Sequence, residues 1–540
     1  MNDYKNSNEI ALILVGGDLR NLWIKHISIT IFVLLGLPLS AENWPMSGGP
    51  NGNWSIDTES SVPLQWSVRK SQNIKWRVEL PEGGQGGIAI WGDRLFLCIN
   101  PPIPDAEAAK MDPKKKNGGI SADIILLCLN REDGKIIWQR EIKGTMPAGY
   151  NYNFSDSTSI CPVTDGEHVW GINASGGMAC FDFEGKEIWS RTWMPTGGRP
   201  FNKQFDSILN VEFLLNVEPP GEGDQTRNKL WNYLRAIDKK TGEILWVSKE
   251  AVGHYNTPVF NYLNDGSPAV LMGRGGAHGV PEKPFGMTLI SLKKNDVGQA
   301  MWSWEPEGDA KENRWGGLTN MHWNKLKAYW FVGKEKLFYT SVDTNSGKEL
   351  SRSSLMKGDR YDYDEKKQEY IKTLDCSFDK QERQPYTSIV SCEYLFYMMR
   401  YEPYLVRHHI PSGKTEFLEL PTEVLREQGK ADQYLWKTKE KNDGLNSQGF
   451  AVSCDNRGRG DNFQKCFPGS PTKINQYLFF TLPLGLTYVV DSSEKDMKKS
   501  LISVNDLGPR EQVFTLNSLS YSKGEIFLRN LKELICIKNN

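Results

Sequence analysis

The chain has almost no net charge: 65 lysines and arginines stand against 66 aspartates and glutamates, so nothing electrostatic draws it to nucleic acid or anionic lipid. Past residue 41 it has no apolar run long enough to cross a bilayer. It lacks a Gly-x-Ser-x-Gly elbow, a His-Glu-x-x-His pair and a phosphate-binding loop, which removes the commonest hydrolase and nucleotide chemistries. Histidine is scarce, with seven residues, and no two of the nine cysteines are adjacent.

Tryptophan (18) and glycine (50) are plentiful, and they recur together. Ala236-Ile237-Asp238-Lys239-Lys240-Thr241-Gly242-Glu243-Ile244-Leu245-Trp246 reads as a short apolar strand, a polar turn closed by Gly242, and a second strand ending in a large aromatic. Such a hairpin cannot bury its own face, so repetition means stacking. Cys128 to Trp138 matches without a gap, and Cys180 to Trp189 with one residue fewer. Ser291 to Trp302 carries one extra residue, Ser341 to Ser351 keeps everything except the tryptophan, and Arg407 to Phe417 substitutes a phenylalanine. The turn glycines are Gly134, Gly185, Gly242, Gly298, Gly347 and Gly413, a spacing near the size of one four-stranded propeller blade.

First hairpins such as Pro162 to Trp170 stand upstream of the copies, and eight of them can be laid out, the seventh blade being degenerate. The last blade stops at Asn540 one strand short, while an orphan strand, Asn73 to Leu80 with Trp76, stands near the beginning. The expected fold is all-β: an eight-bladed β-propeller of four-stranded antiparallel blades, closed by that N-terminal strand completing the last blade.

The Ala-x-Asp-x-x-Thr-Gly-x-x-x-Trp form of residues 236–246 resembles the tryptophan-docking motif of the pyrroloquinoline-quinone-like propellers. That superfamily includes quinoprotein alcohol dehydrogenases and the outer-membrane-assembly lipoprotein propeller. Trp44-Pro45-Met46-Ser47-Gly48-Gly49-Pro50-Asn51-Gly52 is similar to the opening of a group of exported bacterial propellers of this kind. The resemblance covers residues 44–540; it is specific for fold and unspecific for activity. It marks Trp76, Trp138, Trp189, Trp246 and Trp302, with the turn glycines, as structural positions. Quinone-dependent members typically carry a vicinal cysteine pair over the cofactor. This chain has none, so no cofactor is expected, and pyrroloquinoline quinone with calcium stands as the alternative.

Lys25 and His26 precede an apolar run, Ile27 to Leu39, ending at Ala41, which reads as a signal peptide or signal anchor over 1–41. Residues 42–72 then form an N-terminal extension and 73–540 the propeller. The expected location is periplasmic or secreted, and the expected state a monomer. Cys128, Cys180 and Cys536 take the position of Ala236 and read as buried thiols. Cys454 and Cys466 bracket a polar loop and are expected to form a disulfide, with Cys376 and Cys392 a weaker pair.

Strand order places the long insertions Pro101–Ser121, Glu218–Asn228, Gly273–Pro284, Met356–Pro385 and Pro421–Gly469 on one face, the expected binding face. His254, His278, His322 and Arg274 are placed to gather at the channel mouth there. They read either as a metal or anion site or as hydrogen-bonded loop packing, and no ligand spacing marks a metal. His408 and His409 fall in a repeat turn and read as surface residues. Two functions follow: an exported non-catalytic scaffold binding a protein, peptide or polysaccharide partner, or a periplasmic quinone- or metal-dependent oxidoreductase using the channel mouth.

Overall fold

Each copy of the repeat folds as the third and fourth strands of one sheet. In the copy around Gly242, Asn232–Asp238 pairs antiparallel with Ile244–Val252, and the Asp238 carboxylate accepts from the Lys240 and Thr241 amides at 2.8 and 2.9 Å. That side chain organises the turn, which Gly242 closes at φ +76°. The computed structural model describes residues 43–540 apart from 111–120, 147–155, 196–204, 222–223, 225–230, 253–256, 275–285, 308–320, 334–335, 379–384, 386, 401, 437–444 and 451–468.

Eight antiparallel blades follow one another. Their innermost strands are Ala89–Trp91, Val163–Thr164, Ile208–Leu209, Val259–Tyr262, His322–Trp323, Ser388–Ser391, Thr472–Ile474 and Ser520–Ser522, blades 1 to 8 in that order. Blade 8 is completed by Ile74–Glu79, antiparallel to Glu533–Lys538 with Trp76 opposite Cys536, so the orphan strand closes the ring as expected. The seventh blade has its full set of strands; a 3-10 turn, Met497–Lys499, takes the place of the glycine turn.

A register shift recurs opposite the docking position, between Cys128 and Leu129, Ala236 and Ile237, Leu289 and Ile290, Ser341 and Val342, and Val489 and Val490. Such bulges re-aim the strand locally. The tryptophans reach the next blade: the indole N–H of Trp76 donates to Arg131 O, Trp138 to Phe183 O, Trp189 to Lys239 O and Trp302 to Thr344 O, at 2.7–3.1 Å. Each ring lies on the neighbour's turn glycine, and burial of each indole contributes about 2–3 kcal/mol.

Several expectations change. The Met356–Pro385 insertion is not a simple crossover loop. Lys357–Asp364 and Glu369–Ser377 form a hairpin that adds to the outer edge of blade 6, parallel to Thr415–Glu419, giving six strands. The Pro421–Gly469 insertion contains a second hairpin, Glu423–Leu425 with Gln433–Leu435. Cys376 and Cys392 are free thiols, not a pair, and Cys454 and Cys466 lie outside the described residues. Cys128 and Cys180 are buried, and burial pushes their thiols up to about 11 and 12. His408 is not a surface residue: it is fully buried, bonded to Thr415 Oγ1 at 2.9 Å, and burial lowers its imidazole to about 4.

Candidate functional site at the channel ends

Residues 43–72 are built into the ring. Trp44 exchanges both backbone hydrogen bonds with Ile90 of blade 1, at 2.9 and 2.7 Å. Pro45 O accepts from Thr164 N of blade 2, and Met46 Sδ lies 3.4 Å from Leu209 N of blade 3. After the glycine turn, Ser55–Ile56 runs parallel to Thr472–Ile474 of blade 7. The segment therefore meets the innermost strands of four blades, at the ends that carry the short turns. Trp44 has no exposed surface and Met46 is buried. The chain itself crosses the axis at this end.

At the opposite end, residues 81–87 lead into blade 1 over a buried polar cluster. Glu82 accepts from Gly83 N and Asn446 Nδ2, at 2.5 and 2.6 Å, and burial raises its carboxyl to about 7. Asn100 Nδ2 donates to Asp156 Oδ2 at 3.2 Å, and Thr158 donates N–H and O–H to Asp156 Oδ1. Arg529 donates Nη1 to Cys98 O at 2.7 Å. Two of the expected loops meet here: Gln448 of the 421–469 insertion exchanges hydrogen bonds with the Ile103 backbone of the 101–121 insertion, and Ile103 packs with Phe450, Phe514 and Leu531.

A belt of hydrogen bonds joins the beginnings of the innermost strands. Cys161 N donates to Asp206, Thr472 Oγ1 to Leu519 O, and Ser520 Oγ to Ile88 O, each from one blade to the next. Burial raises the Asp206 carboxyl to about 6. His322 belongs to this belt: its Nε2 is 2.9 Å from Ser388 Oγ of blade 6, and burial lowers its imidazole to about 4, the neutral form.

Arg274 ends the second strand of blade 4 and meets Glu250 of blade 3 at 3.4 Å. One blade earlier Arg191 pairs with Glu218 at 2.6 Å, and Arg235 joins Glu218 and Asp224. Arg274 and Arg191 thus each make a blade-to-blade ion pair, while Arg235 pairs within blade 3. The others went unseen in the sequence because the pairing depends on strand register and on the neighbouring blade, which residue type does not show. Arg274 and His322 have separate partners, and His254 and His278 lie outside the described residues. Among the described residues no group of three or more histidines, cysteines or acids is placed to hold a metal, and no helix is long and apolar enough to cross a membrane.

A flat quinone carrying three carboxylates requires free donors at the channel mouth. Among the described residues, Arg274 pairs with Glu250 through Nη2 and keeps a buried Nε without a hydrogen-bond partner, and Arg529 is buried with Nε and Nη2 unpartnered and Gly84 packed against Nη2. Unpartnered buried donors are present, and among the described residues no cluster of three or more acids, histidines or cysteines accompanies them to hold calcium.

No family model and no curated protein matches the chain. Among solved structures, europium-containing methanol dehydrogenase superposes with a TM-score of 0.51 at 11% identity, over 92% of this chain and 90% of that one. Quinohemoprotein alcohol dehydrogenase from Comamonas testosteroni gives 0.49 at 11% identity, over 92% and 80% of the two chains. BamB from Moraxella catarrhalis gives 0.44 at 10%, over 85% and 98%. The first of these likenesses agrees with the fold traced above, an eight-bladed propeller.

Proposed function

We propose that the chain is an exported, non-catalytic propeller scaffold that binds a protein, peptide or polysaccharide partner on its loop-rich face. The observation that carries this reading is the chain's own cover over the axis: Trp44 to Gly52 crosses the short-turn end, and residues 81–87 lie at the other over a buried polar cluster. What is left for recognition is the outer surface of the long loops, two of which are locked together through Ile103 and Gln448. Arg274 and His322 serve blade-to-blade cohesion in this reading, and the protein works in the periplasm or outside the cell as a monomer.

The second reading, a quinone- or metal-dependent oxidoreductase, rests on the fold shared with europium-containing methanol dehydrogenase. Elemental analysis and an absorption spectrum of the mature chain, after incubation with calcium and pyrroloquinoline quinone, separate the two. The scaffold reading expects no stoichiometric quinone or metal. Quinone retained at one per chain, and lost on Arg274→Ala or His278→Ala, would overturn it.

A further inference from the structure

The two extra hairpins have no part in closing the ring. With the fourth strand of blade 7, Leu501–Asp506, they enclose an open cavity of about 490 Å³ at the rim. One wall is aromatic. Tyr363, from the blade 6 hairpin, and Trp436, which follows the small hairpin, stack face to face at 4.1 Å and 9°. Tyr370 stands edge-on to both, its hydroxyl donating to Glu419 O at 3.0 Å. Tyr434 adds a ring that is 42% exposed. The polar part of the lining is Glu365, Gln368, Asp432, Gln433 and Ser503.

The charges narrow the ligand. Asp432 is neutralised by Lys70 at 2.5 Å and Arg426 at 2.8 Å, both reaching it from outside the lining. Glu365 makes no ion pair among the described residues, and no lysine or arginine lines the cavity. An anionic ligand would meet a carboxylate and no compensating cation. Because Tyr363 and Trp436 stack on each other and Tyr370 meets both edge-on, each of the stacked rings keeps one outer face for a ligand, and the three do not form a cage around a point cation. An outward aromatic face beside carboxylate, amide and hydroxyl groups suits a molecule with one apolar C–H face and a rim of hydroxyls. The volume lies in the range of small-molecule sites and accommodates two or three sugar rings.

We infer that this rim cavity is a binding site for a neutral oligosaccharide, its ring faces against Trp436 and Tyr434 and its hydroxyls donating to Glu365. The site is built largely by two of the insertions assigned to the loop-rich face, 356–385 and 421–469, and its own lining, not the rest of that face, carries the assignment. A glycan array of neutral and acidic oligosaccharides, probed with the full mature chain and followed by calorimetry on the best neutral hit, tests it. The expected result is binding of neutral glycans, weakened about tenfold or more by Tyr434→Ala and by Glu365→Gln. Both side chains are at the surface, so the fold survives their loss, and a circular dichroism melt checks this. Failure of every neutral glycan to bind, binding of acidic glycans only, or affinity unchanged in both variants would overturn the assignment.

Discussion

At Gly242 an added Cβ would sit 2.6 Å from the Trp189 ring, on a backbone held at φ +76°. Gly413 has nearly the same backbone, φ +70°, but faces only Ser353 at 3.6 Å, because the preceding copy of the repeat has lost its tryptophan. The two positions separate backbone strain from packing. Gly413→Ala should cost about 1 kcal/mol for the backbone alone, and Gly242→Ala about 2–4 kcal/mol once the displaced indole is added. Urea unfolding of the two variants measures the difference, and equal costs would mean that the indole contact contributes nothing. His408 gives a second prediction at this scale. Its folded pKa of about 4 lies below the ordinary 6.5, so between those values the unfolded chain holds the extra proton. Its contribution is complete above pH 6.5 and is lost as the pH falls to 4, on the order of 3 kcal/mol. His408→Gln should flatten the fall in unfolding midpoint between pH 6.5 and 4, and an unchanged slope would contradict the burial. The signal was present in the sequence: His408 takes the place of Ile237 in the repeat, a core position, and residue type hid what alignment showed.

Among elements, the repeat hairpins were legible because two constraints act on the same few residues: a turn that needs positive φ and a strand end that needs a large flat ring. The closing strand was legible by counting, since a blade one strand short and an orphan strand account for each other. The extra hairpins were not, because neither carries the docking tryptophan at the repeat's spacing, although the smaller one turns at Gly429, φ +76°. Arg360-Tyr361-Asp362-Tyr363 and Tyr370-Ile371-Lys372-Thr373 do alternate around a polar turn, and Asp364 accepts from the Lys366 and Lys367 amides there, a hairpin pattern set aside as loop. The role of Trp44 to Gly52 was equally hidden. Its similarity to other propeller openings marked it as part of the fold, but its partners, Ile90, Thr164, Leu209 and Lys473, are set only when the ring forms.

For the whole molecule, the same N-terminal stretch does two jobs: residues 43–56 cross the axis, and residues 74–79 close the last blade. The candidate site was therefore less legible than the fold. Residue type and strand order could bring Arg274 and His322 to one face, but whether they stay free depends on Glu250 and Ser388, contributed by neighbouring blades. The central claim is that the chain's own N-terminal segment completes the ring and crosses its axis. It is tested by preparing the chain from Pro81 onward and adding a synthetic peptide covering residues 43–80. The account predicts that the shortened chain alone aggregates and lacks a near-ultraviolet tryptophan signal, because Glu533–Lys538 is left as an open edge and the core around Trp44 is empty; the peptide should restore a folded one-to-one complex on gel filtration. A shortened chain that runs as a monomer with the full-length melting temperature would contradict it.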